Sequence, residues 1–184
     1  MSWLIDNVDL VRELFVRHLW ISVVSTLIGF ACALPAGWYA NQHRRLRGAA
    51  VALVGVLYTI PSIALFVLLP GILGTGFLAV TNVIVALSLY AAAVMVRTVA
   101  DAFGSVSPAV LDAATAAGFS KRQRVFRVEL PLAGPVLLAG LRVVSVSTVS
   151  MLSVASLIGV SNLGSLFTDG FRRDFLTEIV VGIV

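Results

Sequence analysis

Charge is what this sequence has least of. Only 12% of its 184 residues are Asp, Glu, Lys or Arg, and 59% are apolar, whereas soluble domains carry roughly twice that charge fraction. With a mean hydropathy of +1.03, there is too little polar side chain to cover a soluble globule. The same composition excludes a disordered chain and a collagen-like repeat. Cys32 stands alone, so no internal disulfide scaffold is possible. The start, Met1-Ser2-Trp3 followed by acids, lacks the basic n-region of a cleaved signal peptide, and none is expected. No G-x-x-x-x-G-K-S/T phosphate loop occurs; Gly74-Thr75-Gly76 is a poor imitation of one and reads as a tight loop between helices. What remains is an all-α integral membrane protein.

The chain holds 13 Lys and Arg against 9 Asp and Glu. That excess does not point to nucleic acid, because the basic residues gather in two short gaps between long apolar runs. These are Arg44-Arg45-Leu46-Arg47 and the segment from Lys121 to Arg127. A bilayer span takes ~20 mostly apolar residues. Four runs fit: 19–40 with Pro35, 48–74 with Pro61 and Pro70, 77–96 stopped by Arg97, and 143–160. A charge at the bilayer centre costs at least ~2.5–3.5 kcal/mol. Arg142 is therefore expected at the inner boundary, with residues 132–141 still short of the hydrocarbon. A fifth run at 175–184 holds only the uncharged residues Ile179 to Val184, too few to cross. It reads as the start of a last span that is incomplete in this chain, giving about five transmembrane helices.

Lys and Arg set the orientation. With the N-terminus outside, the inner gaps hold Arg44, Arg45, Arg47, Arg97, Lys121, Arg122, Arg124 and Arg127, and the outer pieces hold Arg12, Arg17, Arg172 and Arg173. Residues 1–17 repeat Trp3, Val8, Val11 and Phe15 at helical intervals among Asp9, Arg12 and Glu13. They suit an amphipathic interfacial segment with Trp3 as its anchor, or equally a simple extension of the first span.

The inner segment 97–141 is far longer than a turn between spans needs. Ser107-Pro108 offers an N-cap with Pro at the first helical position, and Gly118 is a natural stop. Ser120 to Gln123 reads as a capping box that opens a second helix reaching Leu130-Pro131. Two short helices at an angle make a protruding knob. Its run from Asp112 to Gly118 has little bulk, so a partner's surface can approach the backbone, and Phe119, Lys121, Arg122, Arg124 and Arg127 are at hand to anchor it. The same residues also suit an inexpensive Ala-rich helix with basic residues that serve topology alone.

Asp112-Ala113-Ala114, Gly118 and Val128-Glu129-Leu130-Pro131 resemble the EAA loop of ABC importer permeases (E-A-A-x3-G-x9-I-x-L-P). The spacing agrees at every position, with Asp for Glu at 112 and Val for Ile at 128. The resemblance implies a type I permease whose coupling helix docks in a cleft of a separate cytoplasmic ABC ATPase dimer. It assigns that coupling to Asp112, Ala113, Ala114, Gly118, Val128, Leu130 and Pro131. It further implies a second permease chain, identical or homologous, an extracytoplasmic substrate-binding protein, and a multi-pass place in a bacterial inner membrane. ATP and Mg would sit on the ATPase, so this chain is expected to bind no cofactor and to be no enzyme. The segment from Tyr58 to Leu65 is similar to the Q-T-I-P-S-x-A-L stretch of osmoprotectant permeases. The segment from Leu157 to Gly164, with Gly170 and Phe171, resembles their L-I-G-A-G-G-L-G stretch. Ser161 and Asn162 depart from the small residues usual there and put the local turn in question. Those relatives take up glycine betaine, carnitine, choline or similar compounds; another small solute such as an amino acid is the alternative.

Two stretches offer a lining for a path. In the span 143–160, Ser145, Thr148, Ser153 and Ser156 fall on an arc of about 140°, taking ~100° per residue. Either they face a passage or each hydroxyl returns to the preceding turn. Tyr58, Thr59, Pro61 and Ser62 form the second candidate lining, with Pro61 freeing backbone carbonyls. No Asp or Glu lies within the four runs, which argues against a proton- or sodium-driven carrier. A non-transporting membrane scaffold is the other alternative. Cys32 and His43 have no thiol or metal partner nearby in sequence, and no metal is expected.

Overall fold

The computed structural model describes residues 2–183, apart from the side chains of Ser2, Arg44, Val51 and Tyr58. Its regular structure is helical throughout the described residues. A short α1 (Ser2–Asp6) precedes α2 (Val8–Gln42), which runs about 52 Å at 1.5 Å per residue without interruption at Pro35. Residues 8–17 are thus continuous with the first apolar run, and their Leu14 is buried. The second run comes as two helices, α3 (Arg44–Thr59) and α4 (Ser62–Leu73), bent by 99°. The bend has a local cause. A residue before proline is pushed out of the helical region, and Ile60 is extended at φ −78°, ψ 120°. At the bend the carbonyl of Ile60 accepts the hydroxyl of Tyr90 at 2.5 Å.

α5 (Val80–Gly104) lies parallel to α2 along a seam of small residues. Gly29, Ala33 and Gly37 recur every fourth residue on the buried face of α2. A Cβ on Gly29 would stand 2.5 Å from Ala91 Cβ, and one on Gly37 would stand 2.5 Å from Val99 Cβ. Only glycine permits so close an approach of two backbones. α5 continues two turns past Arg97, so the inner connection is shorter than 97–141. It consists of α6 (Pro108–Ala116), α7 (Lys121–Arg124) and a π turn at Val125–Glu129. That turn leads without a break into α8 (Leu130–Val154), antiparallel to α5.

The knob's second helix is therefore the inner end of α8 and not a separate element. Pro131 does not stop it, because the π turn widens the helix where the proline ring would strike a carbonyl. Arg142 accordingly lies well inside a continuous helical stretch, Lys121–Ile158, that is long and apolar enough to cross a membrane. The other such helices are α2 and α5, and the bent α3–α4 pair passes as a fourth. A 3-10 turn (Ala155–Ile158), α9 (Gly164–Arg172) and α10 (Leu176–Ile183) complete the chain. Val184, the end of the expected last run, is outside the described residues.

Two apolar clusters hold the bundle. Ala33, Met95, Val99, Phe103, Ala133 and Leu137 pack toward the α6 end. Ile21, Phe66, Leu69, Leu87, Leu152 and Val160 pack toward the other.

Candidate functional site

The corner between α6 and α7 is built by short-range chemistry. Pro108 occupies the first turn of α6 after Ser107, whose side chain makes no capping bond. Beyond Ala117 the chain reverses at Gly118, where φ is +83°, a left-handed conformation that costs any residue with a Cβ. Ser120 then caps α7: its Oγ accepts Gln123 N–H at 3.3 Å, while Gln123 Oε1 accepts Ser120 N–H at 2.9 Å. Asp112, Ala113 and Gly118 are exposed, Ala114 is buried, Val128 and Leu130 are half-buried, and Pro131 is exposed. The low-bulk surface is thus Asp112, Ala113, Ala116, Ala117 and Gly118. Phe126, 60% exposed, stands on the neighbouring turn and supplies the bulky apolar group that Phe119, half-buried, offers less fully.

A brace underlies this surface. Arg124 Nε donates to Glu129 Oε1 at 2.9 Å, and Arg124 Nη1 donates to Thr115 Oγ1 on α6 at 3.2 Å. The Glu129 side chain is only 10% exposed, so its charge is held by this one arginine. Arg124 consequently faces inward, and of the four basic residues expected to form an outer face, Lys121, Arg122 and Arg127 do so. At the same end, Arg47 of α3 pairs with Asp101 of α5, and Arg97 stands 3.9 Å from that same carboxylate.

The hydroxyls expected to line a path have mixed fates. Ser145 donates to Leu141 O and Ser156 to Ser153 O, both at 2.8 Å, and Thr59 donates to Val56 O at 2.6 Å. Each returns to its own helix. Thr148 is buried in the bundle, Ser153 and Ser62 are half-buried, and Pro61 is exposed at the bend. The side chain of Tyr58 is outside the described residues.

Toward the opposite end, His18 donates through Nε2 to Val149 O at 3.1 Å and ties α2 to α8. Asn162 organises the turn that Ser161 and Asn162 put in question. Its Nδ2 donates to Val160 O and its Oδ1 accepts Gly164 N–H, both at 2.8 Å. Thr75 and Asn82 close the loop after α4, with Thr75 Oγ1 2.5 Å from Asn82 Oδ1 and Asn82 Nδ2 donating to Gly76 O at 2.9 Å. Trp3 meets Phe175 edge to face, with ring centroids 5.8 Å apart, and Arg173 pairs with the buried Glu178. Cys32 is exposed and His43 packs against Tyr39. Among the described residues no three His, Cys, Asp or Glu side chains converge on a metal site.

Membrane-length helices around a small-residue seam, with a braced knob at one end, define the membrane subunit of a transporter. The chain belongs to the family described as binding-protein-dependent transport system inner membrane component, which it matches over residues 25–184. It is an inner-membrane permease. It is similar to the osmoprotectant import permease protein OsmW of Salmonella typhimurium, with 28% identity over 99% of this chain and 86% of that one. It is 31% identical to the glycine betaine/carnitine/choline transport system permease protein OpuCD of Bacillus subtilis, over 96% of this chain and 76% of that one. In fold it matches an inward-facing structure of the MetNI methionine ABC transporter with a TM-score of 0.78. That match has 23% identity and covers 97% of this chain and 88% of that one.

Proposed function

We propose that this chain forms, with a second permease chain, the path of an ATP-driven importer for a small osmoprotectant of the glycine betaine, carnitine or choline type. The single observation carrying the coupling half of this reading is the exposed, low-bulk α6–α7 corner braced onto α8 by Arg124, Glu129 and Thr115. The substrate class rests on the names of the similar permeases. The N-terminus faces outward and the corner faces the cytoplasm, as the distribution of Lys and Arg favours. There the coupling residues Asp112, Ala113, Ala114, Gly118, Val128, Leu130 and Pro131 meet a separate ATPase pair that holds ATP and Mg. This chain contributes no catalytic group and binds no cofactor.

The connectivity supports a mechanism of alternating access. ATP-driven closure of the ATPases displaces α6. Because α7 passes through the π turn into α8 as one rod, and the arginine brace holds α6 to that rod, the displacement reaches α8 and the helices packed on it. The two permease chains then open a central cavity outward to an external binding protein, and hydrolysis resets them.

Ala113→Trp tests this directly, since Ala113 is exposed and its replacement leaves the fold free, whereas Ala114 is only 8% exposed. The assembled transporter in proteoliposomes should lose glycine betaine uptake and binding-protein-stimulated ATP hydrolysis at least about ten-fold, while the permease keeps its thermal stability. Undiminished coupling in the variant, or purification without any ATPase, refutes the reading.

A further inference from the structure

Three serines differ from the hydroxyls that return to their own helices. Ser22 and Ser25 of α2 are 3% and 0% exposed, and Ser88 of α5 is 8% exposed. None of their Oγ atoms has a hydrogen-bond partner among the described residues. Ser145, Ser156 and Thr59, by contrast, each donate to a carbonyl of the preceding turn. A buried hydroxyl is costly unless something answers it.

The three lie together. At ~100° per residue, Ser22 and Ser25 fall within about 40° of Gly29 on α2. Ser88 falls within about 20° of Val99, the α5 residue that a Cβ on Gly37 would strike. Both faces therefore look into the seam between the two helices. Its register is fixed where a Cβ on Gly29 would meet Ala91. Ser25 stands four residues before that contact and Ser88 three, about 6.0 and 4.5 Å along parallel helices. The two serines thus share a level. Ser22 is one turn further along α2, and His18, one turn beyond it, is already held by Val149 O.

We propose that this half of the seam is a buried water site, in which ordered water bridges Ser22 and Ser25 of α2 to Ser88 of α5. The ligand must both donate and accept, since a hydroxyl does both. It must be uncharged, because no Asp or Glu lies within the four apolar runs to balance a cation. It must also be small, because the glycine contacts on the same seam hold the two backbones together. Water meets all three conditions, and a buried water commonly makes about three hydrogen bonds. The seam then has two halves. From Gly29 to Gly37 it is closed by direct contact. From Ser22 to Ser25 it is joined through water, whose hydrogen bonds are nearly as good as direct ones and re-form when the helices shift.

A structure of the complete transporter that resolves ordered solvent should show a density peak about 3 Å from both Ser25 Oγ and Ser88 Oγ. In the purified permease, Ser25→Ala and Ser88→Ala should each lower the Tm by about 2–4 °C. The double variant should fall by less than the sum, because both hydroxyls serve one water. An unchanged or raised Tm in the single variants overturns the proposal, since the hydroxyls then have no ligand to lose. So do additive losses, which put each hydroxyl on a carbonyl of its own helix. A direct bond between Ser25 and Ser88 would also couple the two variants, but it leaves no solvent peak and overturns the proposal as well.

Discussion

Arg124 and Glu129 stand five residues apart, a spacing that does not bring side chains together on an ordinary α-helix. The π turn between them changes this, because its extra residue per turn brings residue i close to i+5. Arg124→Ala leaves Glu129 almost buried without a partner. It is expected to lower the stability of the detergent-solubilised protein by about 1–3 kcal/mol, read as a fall in Tm. Glu129→Gln keeps an acceptor for Arg124 and should cost less than half as much. At Gly118 the issue is backbone, not contact, since a Cβ there meets open space. Gly118→Ala should cost about 1 kcal/mol through the left-handed conformation alone, with Gly118→Asn milder in the same melting experiment. The capping box at Ser120 and the stop at Gly118 are legible in the sequence because each involves neighbours three residues apart or fewer. The Arg124 brace is not, because nothing local announces the π turn that creates it.

Among the elements, α2 and α5 depend on the closeness of two backbones. Gly37→Val should displace α5 and abolish a monodisperse preparation. Gly37→Ala should already destabilise by about 1–3 kcal/mol. Gly134, also helical but with nothing near its missing side chain, provides the contrast: Gly134→Ala should be neutral or stabilising by up to about 1 kcal/mol. Thermal unfolding of the three variants side by side checks this. The 48–74 run shows where composition stops short. Its apolar content reads as one span, and Pro61 marks the break, but neither predicts a 99° bend or that Tyr90, thirty residues on, would supply the hydroxyl that Ile60 accepts. Tyr90→Phe removes that bond and should cost about 0.5–1.5 kcal/mol, measured the same way.

The whole molecule is organised by direction. α2 and α5 run parallel, α8 runs against them, and the α6–α7 corner sits at the end where α2 finishes. With the native Cys32 replaced by Ser, a cysteine introduced by Lys121→Cys should resist a membrane-impermeant maleimide applied to intact cells. One introduced by Arg172→Cys should label at once. The opposite pattern would invert the proposed topology, and with it the side on which the corner meets its partner.

The sequence by itself determined that the chain is helical and lies in a membrane, because hydropathy and charge depend on composition along the chain and on nothing else. It determined the caps and stops of the corner for the same reason, since their partners are a few residues apart. The tertiary structure decided which small residues form a seam and which arginine turns inward as a brace. It also decided that three of the hydroxyls named for a path, those of Thr59, Ser145 and Ser156, return to their own helices. It also decided which face of α8 carries Arg142. Sequence spacing sets that residue at the inner boundary, on the argument that a buried charge is too costly. The contact between Gly140 and Thr98 puts it at about the level of Arg97, on the exposed face of α8. Whether a charge is affordable depends on what lies across from it, and that is a property of packing.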